Sequence, residues 1–229
     1  KTRFKLNGAN VTLVFDRGII SDDNAQLIKD AKMKYISALD RNQIAGCGID
    51  LSPFKKISSD DFSPKPDRFK KYDDQLYFYD HGVIDDKRFI VGFNPTLFVE
   101  DRKNRKEKID FFEVYLKNEN KALKNAQRDR KRQATEGRVL NELKRLKIKK
   151  YYEDPVLYPL VVKKQLKNGT VKNVESFKVQ VNKKADIIVA DKLLDGVCVF
   201  ITNHIERQGL GFKISPSKVI GAYRNKTKI

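Results

Sequence analysis

The pattern of apolar positions predicts a β-α-β unit at the start of the chain. Residues 11–15 are almost all apolar or β-branched, as in a strand covered on both faces. Ser21 then offers an N-cap, and apolar residues at helical spacing follow it. Residues 34–39 predict a second strand. A right-handed crossover would make the two strands parallel, with Asp16 at the carboxyl edge of their sheet.

The rest of the chain contains further strand patterns. Gly and Pro become frequent from about residue 46 to residue 74, which we interpret as a departure from the first sheet. Short strands are predicted at residues 76–79, 88–93, 97–99, 186–190 and 197–201. Asn168-Gly169 predicts a type I′ turn in a hairpin of residues 161–166 and 171–181, and Asp195-Gly196 predicts another hairpin turn.

Apolar residues occur at helical spacing through residues 106–149 and again near the end of the chain. The long stretch predicts two helices, the second near Gly137. Ser215 and Pro216 have the residue types of an N-cap and a first helical position, so a last helix should begin there. Together the patterns predict a mixed α/β protein.

The charge of the chain indicates a polyanionic partner. Its 229 residues carry a formal net charge of +18, and cations near phosphates release condensed counterions. Residues 102–150 hold eighteen Lys or Arg against seven Asp or Glu. One segment of this stretch has no large apolar residue. It contains Arg128, Arg130, Lys131 and Arg132 and could follow a phosphate backbone. The alternatives are a solvated connection between helices and a basic surface that serves solubility.

Other features narrow the class of protein. The two cysteines and two histidines are too far apart in sequence to form a zinc motif: Cys47, Cys198, His81 and His204. We expect Cys198 to pack within a strand. No run approaches the roughly 20 apolar residues that cross a bilayer, and the chain starts without the apolar core of a secretory signal. We therefore expect a cytoplasmic protein without a membrane partner.

Three passages resemble one known family, the DDE transposases of bacterial and archaeal insertion sequences, in the insertion-sequence-four-like branch with a β-rich insertion. Residues 15–21, with the helix and strand that follow, resemble the strand of the family's second acid. Residues 195–203 resemble the hairpin that closes the insertion. The third passage resembles the start of the signature helix Y-x2-R-x3-E-x6-K: Tyr223-Arg224-Asn225-Lys226-Thr227-Lys228-Ile229.

The resemblance implies a ribonuclease-H-like core and a division of the chain. Residues 1–45 would be part of the core, residues 46–210 a β-rich and partly helical insertion, and residues 211–229 the start of the helix that leads to the third acid. The family's first Asp would lie upstream of Lys1, and the catalytic Glu would directly follow Ile229. The chain is then an internal fragment, and we expect it to be inactive alone.

The resemblance also implies the chemistry. Three carboxylates, Asp16 being the middle one, would hold two Mg²⁺ or Mn²⁺ ions, which assist in-line attack on a phosphodiester. Tyr223 and Lys226 would contact DNA phosphate, with Lys226 where the family usually has Arg, so a bidentate contact would be lost. The partners would be double-stranded DNA, as transposon ends and target, and a second copy of the chain. The alternatives are a non-enzymatic DNA-binding module, in which Asp16 is structural, and an inactive remnant.

Overall fold

A computed structural model describes residues 11–50, 69–205 and 214–226. Over these ranges the protein is mixed α/β, with six α-helices, a six-stranded sheet and a two-stranded sheet. Close backbone contacts divide the chain into unit 1, Lys1–Val99 with Leu193–Ile229, and unit 2, Glu100–Lys192. The end of the predicted signature helix, residues 227–229, lies outside the described residues.

The elements of unit 1 come from both ends of the chain, and those of unit 2 from its middle. The strands are β1 (Thr12–Val14), β2 (Lys34–Ala38), β3 (Lys70–Lys71), β4 (Tyr77–Ile84), β5 (Lys87–Phe93), β6 (Val156–Gln165), β7 (Val171–Gln180) and β8 (Val197–Thr202). The helices are α1 (Asp22–Asp30), α2 (Arg41–Gly46), α3 (Pro95–Lys124), α4 (Arg132–Arg145), α5 (Ala185–Lys192) and α6 (Pro216–Asn225).

The predicted β-α-β unit is confirmed. β1 pairs with β2 in parallel, with Leu13 opposite Tyr35. The Ser21 hydroxyl accepts a hydrogen bond from the backbone N–H of Asn24 at 3.2 Å, so it caps α1. The sequence signals at this end of the chain come from adjacent residues, and the elements that they predict form in the structure.

The six-stranded sheet has the order β1-β2-β8-β5-β4-β3, and β1–β2 is its one parallel pair. The departure from the first sheet that we predicted near residue 46 is wrong, because β3, β4 and β5 join that same sheet. The predicted insertion of residues 46–210 is also divided differently: β4, β5 and β8 belong to unit 1, and only Glu100–Lys192 forms the second unit.

β8 lies at the centre of the sheet, between β2 and β5. One face of the sheet packs against α1 and α2 through fully buried side chains such as Val91 and Val199, and the other packs against α6 through Ile90 and Ile220. Gly92 lies opposite Cys198, where an added Cβ would be 2.6 Å from the Cys198 sulfur. The close approach of β5 and β8 therefore requires glycine at this position.

Unit 2 contains most of α3, with α4, α5 and the β6–β7 hairpin. The two helices predicted within residues 106–149 and the hairpin are confirmed. A second apolar core holds them together, with Phe112, Leu143 and Val179 buried in it. Unit 2 therefore has an apolar core of its own.

Four local predictions are wrong. Residues 97–99 belong to α3, whose start is marked by Asn94: its side chain accepts a hydrogen bond from Leu97 N–H at 3.0 Å. Residues 186–190 belong to α5, so Asp195-Gly196 is not a hairpin turn. In the hairpin loop only Gly169 has a positive φ, of 82°, which excludes a type I′ turn there.

Candidate functional site

Asp16 follows β1 at the carboxyl edge of the parallel pair. Its carbonyl oxygen accepts a hydrogen bond from the Ser37 hydroxyl at 3.0 Å, and Gly18 N–H donates to the Ala38 carbonyl at 3.1 Å. These bonds tie the turn to β2. The Asp16 side chain remains 70% exposed, so its carboxylate is held on a fixed backbone and is open to ligands.

Helix α6 brings Lys226 to this carboxylate. The Ser215 hydroxyl caps the helix by accepting a hydrogen bond from Lys218 N–H at 3.3 Å, as predicted. Val219 and Ile220 are fully buried against the sheet and fix the helix there. The Lys226 ammonium donates a hydrogen bond to Asp16 Oδ1 and forms an ion pair with it across a separation of 210 residues.

Tyr223 lies beside the same pair. The Lys226 Nζ is 3.9 Å from the centre of the Tyr223 ring, and that ring meets Phe200 edge to face with 5.3 Å between centroids. Burial lowers the pKa of Lys226, but hydrogen bonds to Asp16 and Tyr223 outweigh it, so the pKa is raised overall. Tyr223 thus packs on the core and also supports the lysine.

More positive charge surrounds this edge of the sheet. Arg224 pairs with Asp73 and lies over the Tyr72 ring at 5.7 Å. Burial raises the pKa of the Cys198 thiol to about 12, while the charges of Arg17 and Arg224 oppose that rise. The thiol is therefore protonated at neutral pH and serves packing.

Asp40 is a neighbour of Asp16 that we did not single out from the sequence. Leu39-Asp40-Arg41 repeats the pattern Phe15-Asp16-Arg17 at the end of the adjacent parallel strand, and this repeat was the available signal. The Asp40 carboxylate accepts a hydrogen bond from Gln43 N–H at 2.8 Å, and the Gln43 side chain accepts one from Asp40 N–H at 3.0 Å. Asp40 is therefore engaged in capping α2.

The other predicted DNA-binding residues lie in unit 2, on the connection from α3 to α4. Arg128, Lys131 and Arg132 are exposed, and Arg130 is partly buried with its Nε lacking a hydrogen-bond acceptor. Arg130 N–H donates to the Glu175 carbonyl at 2.9 Å, which fixes the connection against β7. The structure thus brings together Asp16, Tyr223 and Lys226 in one unit, and the four basic residues in the other.

Comparisons with known proteins add no information about the function. Comparison with protein-family models, with curated proteins and with solved structures finds no match. Among the described residues, no helix combines the length and the apolar character needed to span a bilayer.

Proposed function

We propose that the chain is part of the catalytic domain of a DDE transposase with a ribonuclease-H-like core. The transposase cuts DNA at transposon ends and joins these ends to a target. It acts as a dimer on paired ends. The observation that carries the proposal is the contact between Asp16 and Lys226. The resemblance assigns these two residues to one site, although they are separated by almost the whole chain. Their side chains meet in the fold.

The architecture around Asp16 supports the same proposal. A carboxylate at the carboxyl end of a parallel strand is a common place for a metal ligand in α/β proteins, and β1 and β2 form such a pair. Arg17, Arg224 and Lys226 are three cations near this edge that would attract a phosphodiester, and two of them are also paired with carboxylates, Arg224 with Asp73 and Lys226 with Asp16. Lys226 can exchange Asp16 for a phosphate oxygen once DNA is present.

Asp16 is proposed as one ligand of the two Mg²⁺ or Mn²⁺ ions that this reaction uses. Its exposed oxygens are of the kind that these hard cations prefer. The described residues bring together no group of three or more His, Cys, Asp or Glu, so by themselves they do not complete a metal pair. The remaining two acids belong, by the proposal, to a longer protein.

The coding sequence on either side of the chain gives the first test. We expect an Asp on a predicted β-strand upstream of Lys1 and a Glu directly after Ile229. A reading frame that continues with other residues at these places would contradict the transposase and leave the DNA-binding module as the better explanation.

The second test uses the protein that contains the chain and both acids. Asp16→Asn should abolish Mg²⁺-dependent cleavage of duplex DNA without weakening DNA binding, because the carboxylate would bind metal and not DNA and its loss frees Lys226 for phosphate. Asp23→Asn makes the same change at an exposed acid of α1 and should cleave normally. Asp16→Asn with full cleavage, or robust cleavage by residues 1–229 alone that Asp16→Ala abolishes, would each overturn the proposal as stated.

A further inference from the structure

The outer end of the β6–β7 hairpin is strongly cationic. Residues 163–172 hold four lysines and no Asp or Glu: Lys163, Lys164, Lys167 and Lys172. Within the part of the chain that the structure describes, these four ammonium groups form no ion pair and no hydrogen bond to a carboxylate. We call residues 163–172 the hairpin tip.

Two of the tip lysines are placed against each other. Lys164 and Lys172 are directly opposite in the β6–β7 register. Like charges at directly opposed positions destabilise a sheet, because their side chains leave the strands close together on one face. The hairpin thus keeps a repulsion that a bound anion would relieve.

The inner part of the hairpin is firmly attached to unit 2. The Asn120 side chain donates to the Val179 carbonyl at 2.9 Å and accepts from Val179 N–H at 2.8 Å. The Ser176 hydroxyl donates to the Leu123 carbonyl at 2.7 Å. The tip is therefore the free end of a ribbon whose other end is fixed on α3.

The basic connection from α3 to α4 lies along the same ribbon. Asp129 accepts a hydrogen bond from Glu175 N–H at 2.8 Å, so the one acid of the connection is directed to backbone. Glu175 is three residues from Lys172 on β7, roughly 10 Å along the strand. Arg128, Lys131 and Arg132 are thus three further cations near the ribbon, with the exposed Glu175 on the strand between them and the tip, and these three side chains also have no ion-pair partner among the described residues.

We propose that the hairpin tip and the connection of residues 128–132 form one surface that binds the phosphate backbone of double-stranded DNA. A two-stranded ribbon fits the major groove, which is about 12 Å wide. Lysines that contact phosphates fix position without reading bases, so binding should tolerate any sequence. The cationic surface follows from the geometry; the choice of duplex DNA as its partner rests on the proposed function.

The test compares two fourfold variants that each remove four positive charges. The tip variant is K163Q/K164Q/K167Q/K172Q. The control variant is K103Q/K106Q/K149Q/K183Q, in which every replaced lysine is ion-paired in unit 2, with Glu107, Asp110, Asp154 and Glu113 respectively. Binding of a fluorescent 20-base-pair duplex is measured by anisotropy over a series of KCl concentrations.

The tip variant should bind with a salt dependence reduced by about 3 to 4 in the slope of log K against log [KCl], since each phosphate contact contributes about 0.9. The control variant should keep most of the original slope. Equal losses in both variants would show that only net charge matters, and an unchanged tip variant would also overturn the proposal. Urea unfolding of each variant verifies that the fold is retained. Lys164→Gln alone relieves the repulsion between Lys164 and Lys172, and it should still reduce the slope of log K against log [KCl].

Other outcomes separate this surface from the site at Asp16. Duplex binding is measured without Mg²⁺ and needs no acid of the catalytic site, so the hairpin result stands even where the transposase fails on its flanking acids. Vesicles that contain phosphatidylserine serve as a second probe. A tip variant that loses vesicle binding and keeps duplex binding would assign the tip to a membrane surface and overturn the proposal for DNA.

Discussion

His204 is a buried ionisable residue whose side chain has one hydrogen-bond partner among the described residues. Its Nε2 is 3.0 Å from the Thr12 hydroxyl, and its Nδ1 is buried without a hydrogen-bond partner in the described residues. Burial lowers the pKa of His204, and the positive charges of Lys34 and Arg88 lower it further. The imidazole is therefore neutral in the folded protein at neutral pH.

The lowered pKa of His204 predicts a loss of stability in mild acid. The unfolded chain binds this proton with a pKa of about 6.5, and the folded chain binds it only at lower pH. The stabilisation is thus complete above about pH 6.5 and is lost as the pH falls towards the folded pKa. Urea unfolding at pH 7 and pH 5 should show a smaller decrease in the free energy of unfolding for His204→Gln than for the unaltered protein.

His81 provides the control for this comparison, because it is the other histidine of the chain and is less buried. His81→Gln should keep the full decrease between pH 7 and pH 5. Equal decreases in the unaltered protein and in His204→Gln would show that carboxylates alone cause the acid sensitivity.

Helices α1 and α4 both end with a lysine in the left-handed conformation. Lys32 and Lys147 have φ of 56° and 57°. After α4, Ile148 N–H donates to the Leu143 carbonyl at 3.0 Å, and Lys147 N–H donates to the Lys144 carbonyl at 3.0 Å. This is a Schellman motif, in which glycine usually occupies the left-handed position.

Replacing the lysine after α4 by glycine should stabilise the protein. Lys147→Gly removes the steric cost of a left-handed residue and should raise the free energy of unfolding by about 1 kcal/mol, measured by urea unfolding. Lys144→Gly makes the same change in the last turn of the helix and should lower it by about 1 kcal/mol. A loss of stability in both variants would contradict the role given to the left-handed position.

The elements that the sequence predicts well are those with local signals. Ser21 and Ser215 cap α1 and α6 as expected, because an N-cap depends on a few adjacent residues. α5 was predicted as a strand from its β-branched residues, but packing of Ile188 against the core of unit 2 outweighs their strand propensity. Asn94-Pro95 carried the signal for the start of α3, since an N-cap followed by proline favours a helix.

The candidate site was predictable only in part, because only some of its features depend on adjacent residues. Asp16 is visible in the sequence because a strand ends directly before it. Its contact with Lys226 depends on how α6 packs across the sheet, and the like-charged pair Lys164 and Lys172 depends on hairpin register. Spacing along the chain determines neither of these.

Among the described residues the apolar clusters fall in separate units, with one on each face of the six-stranded sheet in unit 1 and another in unit 2, which predicts that each unit can open separately. Leu143→Ala in unit 2 and Ile90→Ala in unit 1 each remove a fully buried side chain and should cost about 2–5 kcal/mol. Hydrogen exchange followed by mass spectrometry should quicken in α4 and β7 for Leu143→Ala, and in β5 and β8 for Ile90→Ala. Faster exchange throughout the chain in both variants would show a single cooperative body.

The central place of β8 has a consequence for synthesis on the ribosome. β2 and β5 each have an edge that β8 covers, but β8 is the last strand of the sheet to be made. At about 5–20 residues per second, translation from Phe93 to Thr202 takes roughly 5 to 20 s. All of unit 2 emerges in that interval and can fold, while the nascent chain carries two open strand edges that a neighbouring chain could pair with.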